Sequence, residues 1–448
     1  MVPVSPVRVL VPLLIGLVLA AATPASAKQF DAESFTLSNG LQVVVVPFHR
    51  APAVTQMLWY KAGAYDDPPG KSGIAHFVEH LMFRGTKETA PGEFSRIVSE
   101  NGGRENASTS EDYTVYYQTV AADRLELVMK LEAERMHDLT ITEEQVTPER
   151  EVIIEERRTR VDNSPSAQLD EQVNAALFLN SHYRLPTIGW LGEMRGLGAE
   201  DARRFYATWY APNNAVLVVA GDIEVSRVRA LAETYYGPIP PHPVPAHEAV
   251  AEPPKVAATR LEMTSGRVAS PQWSRAYLAP SYTEGGGKLA DALTVLAEIL
   301  GGGESARLYQ ALVVEKKLAV FTGAGYDPDR GAGSFIVEAE PKDGVSIVDV
   351  EAAAVAEVQR FLREGVGAEE VERVKKRLQA SALYSRDSLS GVARIIGASL
   401  AAGRSLDEVQ AWPERIGAVT PEDVMEAARQ VLKDDAAVTA VLLPEKRS

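Results

Sequence analysis

Apolar residues recur along this chain with two different periods. Short β-branched runs, the kind that form buried strands, occur at 43–46, 216–219, 335–337 and 438–441. Between them lie longer stretches rich in Ala, Glu and Arg, such as 350–363, which are typical of helices. The pattern predicts an α+β fold in which sheets rich in antiparallel strands are covered by helices.

A proline-rich segment divides the chain. Residues 238–255 contain too many prolines for a helix or a central strand, so they are interpreted as a semi-rigid linker, and His242 and His247 within it as exposed linker residues. On either side, 58–84 and 276–307 share the order strand, glycine-rich turn, helix. We therefore expect two homologous α/β-sandwich-like repeats, residues 28–237 and 256–448.

The N-terminus has the pattern of a secretory signal peptide. Arg8 precedes an apolar run at 9–22, and Ala25-Ser26-Ala27 provides a small-residue cleavage site, which predicts a signal peptide over 1–27. The run is shorter than the ~20 residues that cross a bilayer, so an uncleaved anchor is the weaker alternative. We expect an exported protein, periplasmic or secreted, without an integral span after cleavage.

Composition excludes two classes of protein. The formal net charge is −15, which makes the chain a poor binder of nucleic acids. There is no cysteine, so neither disulfides nor a lipoprotein anchor can contribute. The fold must depend on its core and on any metal that it binds.

The segment His76-Phe77-Val78-Glu79-His80 carries the clearest chemistry. Residues four apart share a helix face, so His76 and His80 can bind one cation together. Glu79 lies on the flank of that face, where its carboxylate can reach a metal-bound water without being a ligand. This is the layout of an inverted zinc-peptidase motif, although a short motif of this kind also arises by chance.

A third ligand is expected from residues 149–156, which have a helical pattern after Pro148 as the start signal. Glu149 and Glu156 are two helical turns apart and project from one face. From the residues alone, either could bind the metal with the other behind it, or both could belong to a solvated surface.

Several separated motifs extend this picture. They are 73–75 and 81–86 around the His pair, 106–110 leading into Tyr116-Tyr117, 210–214, and Gly221-Asp222. Together they resemble the pitrilysin and insulinase family of zinc metallopeptidases, most closely the short type that includes the catalytic subunit of the mitochondrial processing peptidase. The resemblance implies one Zn²⁺ per chain, held by His76, His80 and Glu156, with Glu149 supporting the ligands from behind.

The resemblance also implies roles in catalysis. Zinc lowers the pKa of a bound water towards ~7, and Glu79 would act as general base and then as general acid. The stretch that begins at Asn106 is typical of an exposed strand, and a plain strand after a polar turn would look similar. In the family this is the edge strand to which an extended peptide adds, so Asn106 and Ala107 are the expected substrate-binding residues.

One departure from the family is clear. Complete members carry an Arg and a Tyr in the second half that hold the substrate carbonyl, and the matching positions here are Val313 and Val320. Neither side chain can donate a hydrogen bond. Arg307 and Tyr309 lie at the wrong offset and are interpreted as surface and packing residues.

The sequence therefore predicts an exported zinc endopeptidase subunit. Its substrates would be peptides or unfolded polypeptide segments, cleaved in a chamber closed by a homologous chain that supplies the missing Arg and Tyr. The alternative is a non-catalytic structural subunit of the same fold in a larger complex. The intact set His76, Glu79, His80 and Glu156 argues against that alternative.

Overall fold

A computed structural model describes residues 30–247, 250–385 and 388–445. The predicted signal peptide, 1–27, lies outside the described residues. The strands are β1 (Glu33–Thr36), β2 (Gln42–Pro47), β3 (Ala53–Tyr60), β4 (Arg104–Thr109), β5 (Thr114–Ala121), β6 (Ala215–Gly221), β7 (Thr259–Ser265), β8 (Gln272–Ala279), β9 (Ala319–Asp327), β10 (Gly333–Pro341) and β11 (Val438–Pro444).

The α-helices are α1 (Ile74–Leu81), α2 (Glu93–Glu100), α3 (Leu125–Asp138), α4 (Glu143–Arg157), α5 (Pro165–Leu177), α6 (Leu191–Met194), α7 (Ala199–Trp209), α8 (Val225–Tyr235), α9 (Gly287–Gly301), α10 (Ile347–Glu364), α11 (Ala368–Ser385), α12 (Leu389–Ala401), α13 (Leu406–Gln410), α14 (Trp412–Ala418) and α15 (Pro421–Val431). Two π-helical turns, Arg158–Asp162 and Tyr309–Glu315, follow α4 and precede β9.

The strands form two sheets, one in each half of the chain. The first has six strands in the order β1-β2-β6-β3-β5-β4, and the second has five in the order β7-β11-β8-β10-β9. Within the described residues, β2–β6 and β11–β7 are the parallel pairs and every other pair is antiparallel. The predicted α+β fold with antiparallel-rich sheets is confirmed.

Each half lends one helix to the sheet of the other half. Helix α12, from the second half, packs on β3 and β6, where Val392, Ile396 and Leu400 join the core around Trp59. A Cβ at Gly397 would lie 2.0 Å from Trp59 Nε1, so only glycine allows this close approach. In the opposite direction, α5 from the first half packs on β7, β8 and β11.

An acidic cavity lies between the halves. Its volume is about 260 Å³, and its lining includes Asp112 from the first half with Asp327 and Asp329 from the second. Asp112 accepts hydrogen bonds from the Tyr183 hydroxyl at 2.7 Å and from the Arg330 backbone N–H at 2.6 Å. Burial, reinforced by the neighbouring carboxylates, raises the pKa of Asp329 to about 9.

Two local predictions were wrong. Helix α4 begins before Pro148, because Thr142 starts it and its N–H bonds to Gln145 Oε1 at 2.9 Å. Pro148 is the sixth residue of α4, so the helix forgoes the backbone hydrogen bond to the Glu144 carbonyl but does not begin at this proline. His247 is not an exposed linker residue: its Nδ1 lies 2.9 Å from Asp66 Oδ1 and its ring stacks on Trp209.

Candidate metal centre

Helix α1 carries the His pair and is fixed at both its N-terminus and its inner face. Asp67 accepts the N–H of Gly73 at 2.6 Å and that of Ala75 at 3.0 Å, which satisfies donors that a helix N-terminus leaves free. Phe77 and Val78 are fully buried in the core of the first half. The rest of the helix is thus held still while His76 and His80 face α4.

The structure brings His76, His80 and Glu156 together. One ligand atom from each lies within 4.8 Å of the others, and Glu156 Oε2 is 3.2 Å from His80 Nε2 and 3.5 Å from His76 Nε2. Donor atoms around a tetrahedral zinc ion, with bonds of ~2.0–2.1 Å, are separated by roughly 3.3 Å. Glu156 Oε2 is buried and faces the two imidazole nitrogens, as a metal ligand would. The three residues therefore fit a zinc ion.

Glu149 lies outside this ligand group and contacts His80 instead. Its Oε1 is 2.8 Å from His80 Nδ1, and its other oxygen pairs with Arg84. Since a carboxylate can only accept, Nδ1 donates to Glu149, and Nε2 is the nitrogen that faces Glu156 and could bind a metal. Glu149 is 2% exposed, so this orientation is shielded from water.

Arg160 binds the oxygen of Glu156 that does not face the histidines. Its Nη2 lies 2.8 Å from Oε1, one helical turn beyond Glu156 in the π-helical turn that follows α4. The two oxygens of Glu156 thus have different partners, and Oε2 alone is directed at the imidazoles. This arrangement suits a carboxylate that binds a metal through one oxygen.

The two imidazoles differ in their metal-free protonation. Burial, with the charge of His80, lowers the pKa of His76 to about 4. Burial alone would lower the pKa of His80 too, but hydrogen bonds to Glu149 and Glu156 outweigh it and raise the value to about 9. His76 is therefore ready to bind a metal, whereas His80 must first lose a proton.

Glu79 is buried on the flank of the His pair. Its carboxylate accepts one hydrogen bond from the described residues, from the Thr109 hydroxyl to Oε2 at 2.5 Å. Burial raises the pKa of this carboxyl, as suits a group that must take up a proton and release it.

Strand β4 is the free edge of the first sheet, next to α1. Its exposed and partly buried residues alternate, with Asn106 exposed and Ala107 partly buried. The Asn106 side chain accepts the N–H of Ala107 at 2.9 Å, so this backbone donor is not used between β4 and β5. The edge can therefore offer it to an added strand.

The two positions at which complete family members carry the Arg and the Tyr have no hydrogen-bond donor in their side chains here. Val313 is partly buried in the π-helical turn before β9, and Val320 is 58% exposed on β9, the edge of the second sheet. Arg307 is engaged elsewhere, since its Nη2 lies 2.7 Å from Glu370 Oε2 and its guanidinium stacks on Phe361.

Sequence reasoning missed Thr109, Arg84 and Arg160, each of which contacts a candidate site residue. Thr109 follows Asn106 in the same motif, and only the placement of β4 beside α1 shows what its hydroxyl reaches. The contact of Arg160 could have been predicted from its spacing, because a residue four positions after Glu156 lies on the same face of a helix. No such spacing indicated the contact of Arg84.

Comparison with known proteins identifies the family. Residues 42–189 match the family model for insulinase (peptidase family M16), and residues 196–378 match that for the peptidase M16 inactive domain. The chain is 30% identical over 420 residues to the zinc protease PqqE of Helicobacter pylori, covering 92% of this chain and 93% of that protein. The chain belongs to the M16 peptidase family. The resemblance inferred from its motifs is confirmed.

Further comparisons agree with this chain in length or in fold. The uncharacterized zinc protease YmxG of Bacillus subtilis is 25% identical, with coverage of 91% of this chain and 97% of that protein. The crystal structure of a protease from Helicobacter pylori superposes with a TM-score of 0.84 at 28% identity, over 92% of this chain and 99% of that one. The periplasmic protease PqqL of Escherichia coli has the same fold, with a TM-score of 0.79 at 21% identity, and the match covers 92% of this chain but 47% of PqqL.

Proposed function

We propose that this M16 chain is an exported zinc-dependent endopeptidase subunit that hydrolyses peptides or unfolded polypeptide segments. One observation carries the proposal: ligand atoms of His76, His80 and Glu156 lie within 4.8 Å of one another, and the buried carboxylate of Glu79 lies on the same helix as the His pair. Relatives named as zinc proteases support it.

One zinc ion per chain would be held by His76, His80 and Glu156. When bound, zinc would lower the pKa of a water molecule to ~7 and polarise the carbonyl of the peptide bond. Glu149 would accept the Nδ1 proton of His80, so that Nε2 is the nitrogen offered to the metal, and Arg160 would keep one oxygen of Glu156 directed at the histidines. With three protein ligands, a bound zinc ion would stay accessible to water and substrate.

Glu79 is the proton carrier in this proposal. Its carboxylate takes a proton from the attacking water and hands it to the nitrogen of the leaving amine, which is general base followed by general acid catalysis. Burial raises the pKa of the Glu79 carboxyl, which makes the carboxylate a better acceptor for this proton.

The substrate would lie extended along β4. An added strand would hydrogen-bond the free edge, where Ala107 offers its backbone N–H once the Asn106 side chain turns towards the peptide. Specificity for unfolded segments follows, because only an extended backbone can pair with a sheet edge.

A homologous chain would complete the site by supplying the Arg and Tyr that Val313 and Val320 replace. The length relation with PqqL supports a paired arrangement, since one PqqL chain is about twice as long as the part matched here. A non-catalytic subunit of the same fold is the alternative. The missing donors favour it, while the complete set of metal-binding side chains weighs against it.

Export is the remaining part of the proposal. It rests on the signal pattern in 1–27 and on the periplasmic location of the structural relative PqqL. Every helix in the described part of the chain is too short or too polar to cross a bilayer.

The test of function combines metal analysis with one variant. We expect one zinc per purified chain, peptide hydrolysis that a chelator abolishes, and full zinc content with almost no activity in Glu79→Gln. Hydrolysis by Glu79→Gln within a few-fold of the parent rate would refute the role of Glu79. A parent that neither binds zinc nor cleaves peptides with any homologous partner would refute the peptidase assignment.

A further inference from the structure

The Thr109 hydroxyl donates to Glu79 Oε2 at 2.5 Å, and no other described residue donates to this carboxylate. We propose that Thr109 is a positioning residue, which holds one oxygen of Glu79 so that the other faces the attacking water. The proposal rests on the proposed function of Glu79 as the proton carrier. In this role Thr109 touches neither the metal nor the reacting atoms and acts only through Glu79.

Thr109 can hold Glu79 accurately because the backbone of β4 fixes its hydroxyl. Thr109 pairs with Thr114 on β5, and the Thr114 hydroxyl donates to the Ala62 carbonyl at 3.0 Å. Thr is branched at Cβ, so few χ1 rotamers are open to it on a strand. A hydroxyl that donates to a carboxylate makes a short and strong hydrogen bond, which matches the observed distance.

The contact also links the base to the strand that is proposed to bind the substrate. Ala107 and Thr109 are two residues apart on β4, so their side chains point to the same side of the sheet, towards α1. A peptide that pairs with the edge at Ala107 orders the same strand that holds Glu79. Substrate binding and orientation of the base are therefore coupled through six residues of chain, Arg104–Thr109.

The chain offers matched variants. Thr109→Val keeps the shape of the side chain and removes the hydroxyl, while Thr109→Ser keeps the hydroxyl. Thr119→Val, on β5, removes a hydroxyl that bonds to Thr55 at 2.9 Å rather than to Glu79, so it controls for loss of a sheet hydroxyl. Thr109→Ala is the second variant that lacks the hydroxyl, in case Val perturbs the strand.

We expect Thr109→Val to lower kcat by roughly ten- to a hundredfold, with KM within about twofold of the parent value and zinc content unchanged. Thr109→Ser should return kcat to within about threefold of the parent, and Thr119→Val should leave it unchanged. Equal losses in Thr109→Val and Thr109→Ser, or a rise in KM alone, would overturn the proposal, since either would mean that Thr109 only shapes the strand.

A binding measurement serves as a second readout that needs no turnover. A simple hydroxamate would bind a zinc ion at this site through its oxygens and give its proton to Glu79, so its affinity depends on how Glu79 is held. Calorimetry should show about tenfold weaker binding to zinc-loaded Thr109→Val and parent-like binding to Thr109→Ser. Unchanged affinity and kcat in Thr109→Val would refute the role of Thr109 alone, whereas a parent that binds neither zinc nor hydroxamate would refute the proposed function and this role with it.

Discussion

Gly73 and Gly189 pack backbone against backbone at the start of the helix that carries the His pair. Both have positive φ, 87° and 90°. A Cβ on Gly73 would lie 2.5 Å from the Ile188 carbonyl oxygen, and one on Gly189 would lie 2.4 Å from that of Ser72. The position of α1 is thus set by a contact that no side chain can enter.

Replacing Gly73 should therefore damage the metal centre. Gly92 is a matched control, because it also precedes a helix with positive φ, but a Cβ added there would have no atom within 4 Å. Gly92→Ala should cost about 1 kcal/mol of unfolding free energy, from the backbone conformation alone. Gly73→Ala should cost about 3 kcal/mol or more and lower zinc affinity, because the clash displaces α1. Denaturant titration measures the loss of stability, and zinc analysis measures the loss of metal. Equal effects of the two variants would contradict a clash at Gly73 as the cause.

The two glutamates of α4 should differ in their effect on zinc. Glu156→Gln should lose the metal, and Glu149→Gln should weaken zinc binding by roughly ten- to a hundredfold, because it removes the charge behind His80. Glu155→Gln, an exposed carboxylate on the same helix, is the control. Full zinc occupancy in Glu156→Gln, together with loss in Glu149→Gln, would instead make Glu149 the third ligand.

The unmodified chain alone should be a weak peptidase. Introducing Val313→Arg with Val320→Tyr should raise its activity by roughly a hundredfold, which is the typical contribution of such donors. The gain requires two copies to face each other, so the rate per chain should increase with protein concentration. Val314→Arg with Phe321→Tyr places the same groups one residue away, at exposed positions, and should give no gain. High activity of the unmodified chain at low concentration would contradict the need for a partner.

The acidic cavity between the halves should make stability depend on pH. An Asp in an unfolded chain has a pKa of ~3.9, whereas burial raises the pKa of Asp329 to about 9 in the folded protein. Between these values the folded state holds a proton that the unfolded state has released, so stability falls as pH rises from about 4 to about 9. Asp329→Asn should raise the Tm at pH 8 by about 2 °C or more relative to its effect at pH 5. Asp343→Asn, at an exposed turn, should not, and parallel Tm profiles for Asp329→Asn and the parent would refute the prediction.

The elements that could be predicted are those that leave a pattern in neighbouring residues of the sequence. The apolar runs indicated the strands, and the four-residue spacing of His76 and His80 placed them on one helix face. The role of Thr109 could not be predicted, because its partner Glu79 lies far away in sequence and on another element. The start of α4 was missed because Pro148 is a strong start signal, and the capping pair Thr142 and Gln145 prevailed over it.

Nor could the sequence say which sheet an apolar helix covers. In sequence, the apolar faces of α5 and α12 resemble those of helices that pack on the sheet of their own half. In the structure, each of the two helices packs on the sheet of the other half. Only the three-dimensional arrangement distinguishes the two outcomes, since either one would bury an apolar helix face.

Because α5 and α12 each cover the sheet of the other half, the whole chain is the unit that can fold. If either half were produced alone, one face of its sheet would lose its helix, and the core around Trp59 or around Leu442 would be open to water. We therefore expect larger assemblies of this fold to add whole chains, either as separate subunits or by gene fusion.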